Sequence, residues 1–517
     1  MRYIYGFVLI FTILLWSSCR NDFESVPSSG NLEFSQDTIF LDTIFTNVGS
    51  STRTLKVYNR SSEDINIPNI QLSGGESSSY RLNVDGIPGK IFQDINILAN
   101  DSIFVFIETT IDIDNFPNPD NSYLYEDRIV FDSGTNTQDV NLITLVKDAV
   151  FLFPEQSSDG TVETLNLGTE EEPILIEGFY LNDNQLNFTN EKPYVIYGYA
   201  AIAPNKTLTV EPGARIHFHR DSGILVANTA SMKSIGLASI NSELMENQII
   251  FEGDRLEPSF ADVPGQWGTI WLTAGSTNHE FSYTTIKNSI VGILMDSNDG
   301  DRTLTLKNVE IYNTSNVGLL ARTGDIYGEN LIINNSGQSS LSCSLGGKYN
   351  FIHSTFVNYW TNNFRIFPAV SIDNVLQVGE NEFITSDLIE ANFINCILYG
   401  NEARELIFTH NQDAAFNFNF KNSLIRFDDP NGNFEDDLNY DFLNESLYLN
   451  IVRNQNPSFL NTTLNDFNIE TNVSGADGIG NPADALTVPL DGNGTNRNVS
   501  APDAGAYESI IYPDEGT

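Results

Sequence analysis

The strongest constraint on this chain is a short apolar line that recurs along its second half. It runs Lys307-Asn308-Val309-Glu310-Ile311, then Glu329-Asn330-Leu331-Ile332-Ile333, then Ile352-His353-Ser354-Thr355-Phe356. It continues with Ile394-Asn395-Cys396-Ile397-Leu398 and Lys421-Asn422-Ser423-Leu424-Ile425. The aligned polar positions lie 22, 23, 42 and 27 residues apart, and the 42 is read as two units. A period in the low twenties with one apolar pair per unit is the mark of a β-solenoid. No single unit can bury its apolar face, so the units must stack.

Composition supports this reading. More than one residue in ten is Asn. In stacked coils the same turn repeats about every 4.8 Å, so an Asn there can bond to its equivalents above and below. Asn also tolerates the left-handed backbone of such turns. Asn288, Asn308, Asn313, Asn330, Asn334, Asn358 and Asn395 are the ladder candidates, with His353 a substitute in the same line. The net charge of −42 excludes nucleic acid as a partner, since phosphate binding needs clustered Lys and Arg. It also disfavours polyanionic substrates unless calcium bridges the charges. Three Cys in 517 residues do not make a disulfide scaffold, and Cys343 and Cys396 are expected as buried thiols.

The chain opens with one charge, Arg2, followed by an apolar run from Tyr3 to Trp16 and then Ser17-Ser18-Cys19. That is a secretory leader, too short to span a bilayer comfortably. Ser17-Ser18-Cys19 resembles the lipobox of bacterial lipoproteins, with Trp16 where Leu is usual. The resemblance implies lipidation of Cys19 and a membrane partner through that anchor. The acidic residues after it resemble signals for the outer face of the outer membrane, so the expected location is the outer membrane and the cell surface.

Residues 19–31 read as a tether. From 32 to 150, short alternating runs with turn residues between them read as a β-sandwich, for example Thr38–Phe45, Ile65–Leu72 and Ser102–Ile107. "DTIFTNVGSSTRTLKVYNRSSEDINI" resembles the start of immunoglobulin-like domains of bacterial surface proteins. Residues 151–192 are acidic and turn-rich, and read as a linker. The segment Glu211 to Met295, with "PGQWGTIWL" at its centre, resembles right-handed parallel β-helix repeat lipoproteins of the pectin-lyase-like fold. The expected β-helix covers 193–460 in about twelve coils. Residues 461–511, with Asp503-Ala504-Gly505-Ala506-Tyr507-Glu508, resemble the region that closes the last coil of such proteins. Residues 512–517 read as a tail. The fold class expected is therefore all-β: an immunoglobulin-like sandwich followed by a β-solenoid.

No catalytic set assembles from the sequence. Polygalacturonases carry Gly-His-Gly and Arg-x-Lys, and neither occurs here. His217 and His219 face one side of a strand, with Asp221 nearby, but one pair leaves a metal shell unfilled. Two loops offer oxygen ligands, and calcium is the cofactor they would take: Asp296, Asn298 and Asp301, and Asp429, Asn431 and Asn433. Both depart from the EF-hand pattern. Trp267 and Trp271 are four apart on a strand and are the candidates for stacking a polysaccharide. The leading expectation is a non-catalytic, lipid-anchored envelope protein presenting a binding or adhesive face. A β-helix polysaccharide lyase or glycoside hydrolase is the alternative, and a purely structural envelope protein the third.

Overall fold

The computed structural model describes residues 25–116, 121–241, 243–296, 303–380 and 382–512. Cys19 and the leader, together with Asn298 and Asp301 of the first acidic loop, lie outside the described residues. The chain divides into two compact units, Met1–Asp148 and Ala149–Thr517. No described helix is long and apolar enough to cross a membrane.

The first unit is built of two sheets. One contains Val26–Pro27, Ile65–Leu72, Ser122–Phe131, Gln138–Lys147 and Thr38–Phe45, with Ile91–Ile97 paired to Ile65–Leu72. The other runs Glu33–Phe34, Arg53–Tyr58, Ser102–Thr109, Tyr80–Val84 and Ile87–Gly89. Alternation explains how they meet. In Ser102–Thr109, Ile103, Val105 and Ile107 are buried while Phe104 and Phe106 face out. Those inward residues share one core with Ile67, Ile70, Leu72, Ile129, Phe131 and Leu142 of the other sheet.

The second unit is dominated by one 27-stranded sheet system in which parallel strands pair across successive coils, compatible with a β-helix-like fold. One inward line runs Val150, Tyr194, Ile216, Phe251, Ile286, Ile311, Ile333, Phe356, Leu398 and Ile425, each in register with the next. Val452–Arg453 stacks once more beyond Ile425, which makes eleven levels, ten of them within 193–460 where twelve were expected. The expected 42-residue double unit is a single level: Ile352 pairs directly with Ile394. Its extra length is a projecting segment that includes the hairpin Val375–Gln377 and Phe383–Thr385. The segment read as a linker is already structured. Val150–Leu152 pairs with Tyr194–Ile196, and Leu175–Tyr180 with Tyr199–Ile202. It supplies the first coil, because Tyr194 needs a neighbour on that side as much as any later rung.

The asparagines form two ladders. Asn308, Asn330, His353, Asn395 and Asn422 all adopt left-handed φ, between 48° and 53°. The Asn330 amide donates to Asn308 Oδ1 at 2.9 Å, and Asn395 meets His353 Nε2 at 2.9 Å. The second ladder joins Asn288, Asn313 and Asn335. Asn335, not Asn334, takes this position. Asn334 bonds to Asn465, and Asn358 binds the backbone of Ser336 and Gln338. Cys343 and Cys396 are buried free thiols, as expected.

The region expected to close the last coil does something else. Phe467, Ile469, Ala476, Ala504 and Ala506 pack sideways onto Tyr312, Ile332, Val357, Ile397, Tyr399 and Leu424, all on the outside of one parallel sheet. That exterior is apolar, so it needs a cover more than the coil end does. The end itself is sealed by the loops after Phe427, where Phe434, Tyr440 and Phe442 pack around the Phe427 ring.

Candidate functional site

Three places on the second unit gather the residues singled out from sequence. The first is the outside of the sheet carrying Ile270–Leu272. Here Ile270 and Leu272 point inward and Trp271 points out, half-buried. Trp271 lies in an outward line with Ala201, Leu225, Leu294 and Leu320, followed by Ser342. Its indole N–H donates to Asp296 Oδ2 at 2.7 Å, and the other oxygen of Asp296 pairs with Arg322. Leu165, Leu167 and Ile176 of the first coil cover the Ala201 and Leu225 end of the line. Leu294 and Leu320 remain half-buried. The arrangement is an indole held by a charged pair on an apolar strip, a flat apolar ring with its polar edge already engaged.

Trp267 does not join it. Its side chain is fully buried, stacked on Phe218 with ring centroids 4.2 Å apart, and its indole donates to the Lys287 carbonyl. The four-residue spacing assumed one continuous strand. Trp267 makes only an isolated bridge, and the strand begins at Ile270. The chain turns between them, so the two indoles point opposite ways.

The second place is the exterior around the two histidines. His217 is in register with Glu252, and Lys287 Nζ reaches Glu252 at 2.8 Å. His217 Nδ1 is 3.6 Å from the same carboxylate. His219 bonds Asp254 at 2.7 Å and stacks on Tyr197. Burial pushes the Glu252 carboxyl up, but His217, Lys287 and Arg215 outweigh it and hold it below the usual range. The hydrogen bond to Asp254 raises the His219 imidazole. The i, i+2 spacing of the histidines thus matches the i, i+2 spacing of two acids one coil on. Asp221, the acid near the two histidines in sequence, pairs with Arg220. Sequence reasoning missed Glu252 and Asp254 because the 35-residue step between the coils hides the register.

The third place is the second acidic loop. Asp429 accepts the Phe434 backbone N–H at 2.9 Å and lies 3.8 Å from Arg404. It borders a cleft of about 300 Å³ lined by Phe427, Asp428, Phe434, Glu435, Tyr440, Phe442 and Arg453. The Asp429 carboxylate is therefore engaged in organising its own loop and in an ion pair. Asn431 and Asn433 belong to that same loop. In the first acidic loop, Asp296 is the one calcium candidate among the described residues, and Trp271 and Arg322 occupy it. Among the described residues, no group of three or more His, Cys, Asp or Glu side chains is placed to hold a metal ion.

No family model matches the chain. No curated protein matches it either. Several solved structures align with part of it, among them the following two. A family 123 glycoside hydrolase from Clostridium perfringens is 12 % identical over 23 % of this chain and 26 % of its own, at a TM-score of 0.16. The E. coli chaperone DraB is 12 % identical over 24 % of this chain and 58 % of its own, also at 0.16. The alignment thus spans about a quarter of the first protein and little more than half of the second. At that TM-score neither likeness carries an argument.

Proposed function

We propose that this chain is a lipid-anchored protein of the outer cell envelope that binds neutral glycan without cleaving it. On this reading the first unit is an immunoglobulin-like sandwich, and the second is a right-handed parallel β-helix whose exterior meets the ligand. The observation that carries the reading is Trp271: a half-buried indole, fixed by Asp296 and Arg322, on an outward apolar line that, among the described residues, is packed over at its Ala201 and Leu225 end. Sugar recognition uses such a ring beside a few oriented polar groups. The acids near the candidate surfaces also favour binding over catalysis. Glu252, Asp254, Asp296 and Asp429 each face a cation or imidazole already. A general acid would need its carboxyl held near neutral pKa beside the substrate.

The test of binding is a glycan array probed with residues 20–517 in calcium and again in chelator. The reading expects retention of one neutral class, with at least a tenfold loss on Trp271→Ala. Release of reducing ends from the retained glycan would overturn it. The test of anchoring is metabolic labelling with a clickable fatty acid. Label should appear on the wild-type chain and vanish on Cys19→Ser.

A further inference from the structure

The solvent face of the five-stranded sheet in the first unit is unusual for its position. Outward positions of a half-solvated antiparallel sheet ordinarily read polar. Here Phe104 and Phe106 stand side by side on Ser102–Thr109, 46 % and 41 % exposed. Their planes lie within 17° of parallel, with centroids 6.2 Å apart. Lys56, opposite Phe104, extends its ammonium over that ring, 5.3 Å from the centroid. Phe106 stays open on its other side. It lies opposite Asn83 and walls a cleft of about 410 Å³ with Thr52, Arg81, Asn83, Pro88 and Glu108. That volume is within the usual range for small-ligand sites.

The polar rim is organised. The Thr52 hydroxyl donates to Glu108, and Arg81 donates to Thr110 at 3.2 Å while lying 3.8 Å from Glu108. One group is left over. The side-chain carbonyl of Asn83 is buried without a hydrogen-bond partner. Such an orphan is rare in folded chains.

We infer that this cleft is a second glycan subsite, which stacks one pyranose ring on Phe106 and bonds its hydroxyls through Asn83, Thr52 and Arg81. Neutral sugar is the occupant that fits. Glu108 and the net charge of −42 repel an anion. A protein hot spot would seat its anchor in a fully desolvated pocket, whereas this cleft has the charged Arg81 and Glu108 in its lining beside Phe106. The inference rests on the glycan-binding reading and gives it a location in the unit that sequence analysis treats as a spacer.

The test is calorimetric titration of residues 20–517 with cellohexaose, xylohexaose and mannohexaose. At least one hexaose should bind. Phe106→Ala should remove one bound equivalent per chain, Asn83→Ala should weaken that equivalent severalfold, and Phe106→Trp should keep it. Phe40→Ala, which removes an aromatic 62 % exposed on the other sheet, should change nothing. Thermal unfolding checks that each variant is folded, and exposed Phe106 gives little reason for it not to be. Unchanged stoichiometry in Phe106→Ala overturns the inference. If Trp271→Ala then abolishes binding, the glycan reading survives without the second subsite. If no hexaose binds the wild-type chain, both fall.

Discussion

One parallel sheet of the second unit carries two different exteriors. At its early coils the outward side chains include an ionic group, Arg215, His217, Glu252 and Lys287, beside Val195, Ile250 and Thr285. A few coils on, the equivalent positions hold Tyr312, Ile332, Val357, Ile397 and Tyr399. The backbone pairing is the same throughout. What differs is the cover. The C-terminal segment lies over the later coils; Arg497 braces it internally through Glu508 at 3.1 Å and the carbonyls of Gly505 and Ala506, and ties it to the coils through Asn330 at 2.7 Å. Tyr507 donates to Glu310 at 3.1 Å beneath it. The outer residues of this stacked sheet thus match what lies on them. By contrast the outward line Trp271, Leu294 and Leu320 stays half-buried among the described residues, and it is the surface on which the proposed binding rests.

The largest contrast expected is between the two faces' cations. Arg497→Ala leaves the Glu508 carboxylate buried without its cation and should cost about 3–5 kcal/mol. Lys287→Ala, where both partners keep solvent contact, should cost less than about 1 kcal/mol. Urea unfolding of both variants measures the difference. Equal losses would break the comparison. Next come the aliphatics. Ile332 is 1 % exposed, so Ile332→Ala should cost about 2–5 kcal/mol. Leu294→Ala on the open face should cost under about 1 kcal/mol.

Asn308 probes the ladder that both faces share. Its φ of 51° makes Asn308→Ala pay about 1–2 kcal/mol of backbone strain, beyond the lost bond from Asn330. Asn308→Gly loses the bond alone. A melt that drops equally for both would remove the conformational account.

The most local effect is on pH. Burial raises the Asp503 carboxyl to about 6 and also pushes Glu310 up. Both raised groups favour the fold while protonated, so their contribution is present below the unfolded pKa of about 4 and is lost as pH rises through the folded value. Glu252 is lowered, so its contribution is present above the unfolded pKa and is lost on acidification. Hydrogen exchange, corrected for intrinsic rate, should show residues 503–509 less protected at about pH 7.5 than at about pH 4.5, and residues 249–253 the reverse. Parallel trends would contradict the assignment.

The sequence carried the all-β class, the strands of the first unit and the stacking period. These are local signals: alternation of period two, and an Asn in the same turn of each coil. It misled where the answer depended on register between distant segments. The 42-residue step looked like two coils because the hairpin at 375–385 is invisible in the apolar line. The terminal region looked like an end cap because nothing local in Ala504-Gly505-Ala506 tells a flank from an end. At the candidate sites, the pairing of His219 with Asp254 and of Trp271 with Asp296 crosses 35 and 25 residues. No motif spans those distances. The opposed directions of Trp267 and Trp271 turned on a strand start that Gly268 and Thr269 do not announce.

The central claim is that the uncovered exterior binds glycan without turnover. The most direct measurement is the glycan array with wild-type and Trp271→Ala chains, followed by product analysis on whatever is retained. The account expects one neutral class bound, at least a tenfold loss in the variant, and intact glycan recovered. Equal binding by the two chains, or shortened glycan from the wild type, would contradict it.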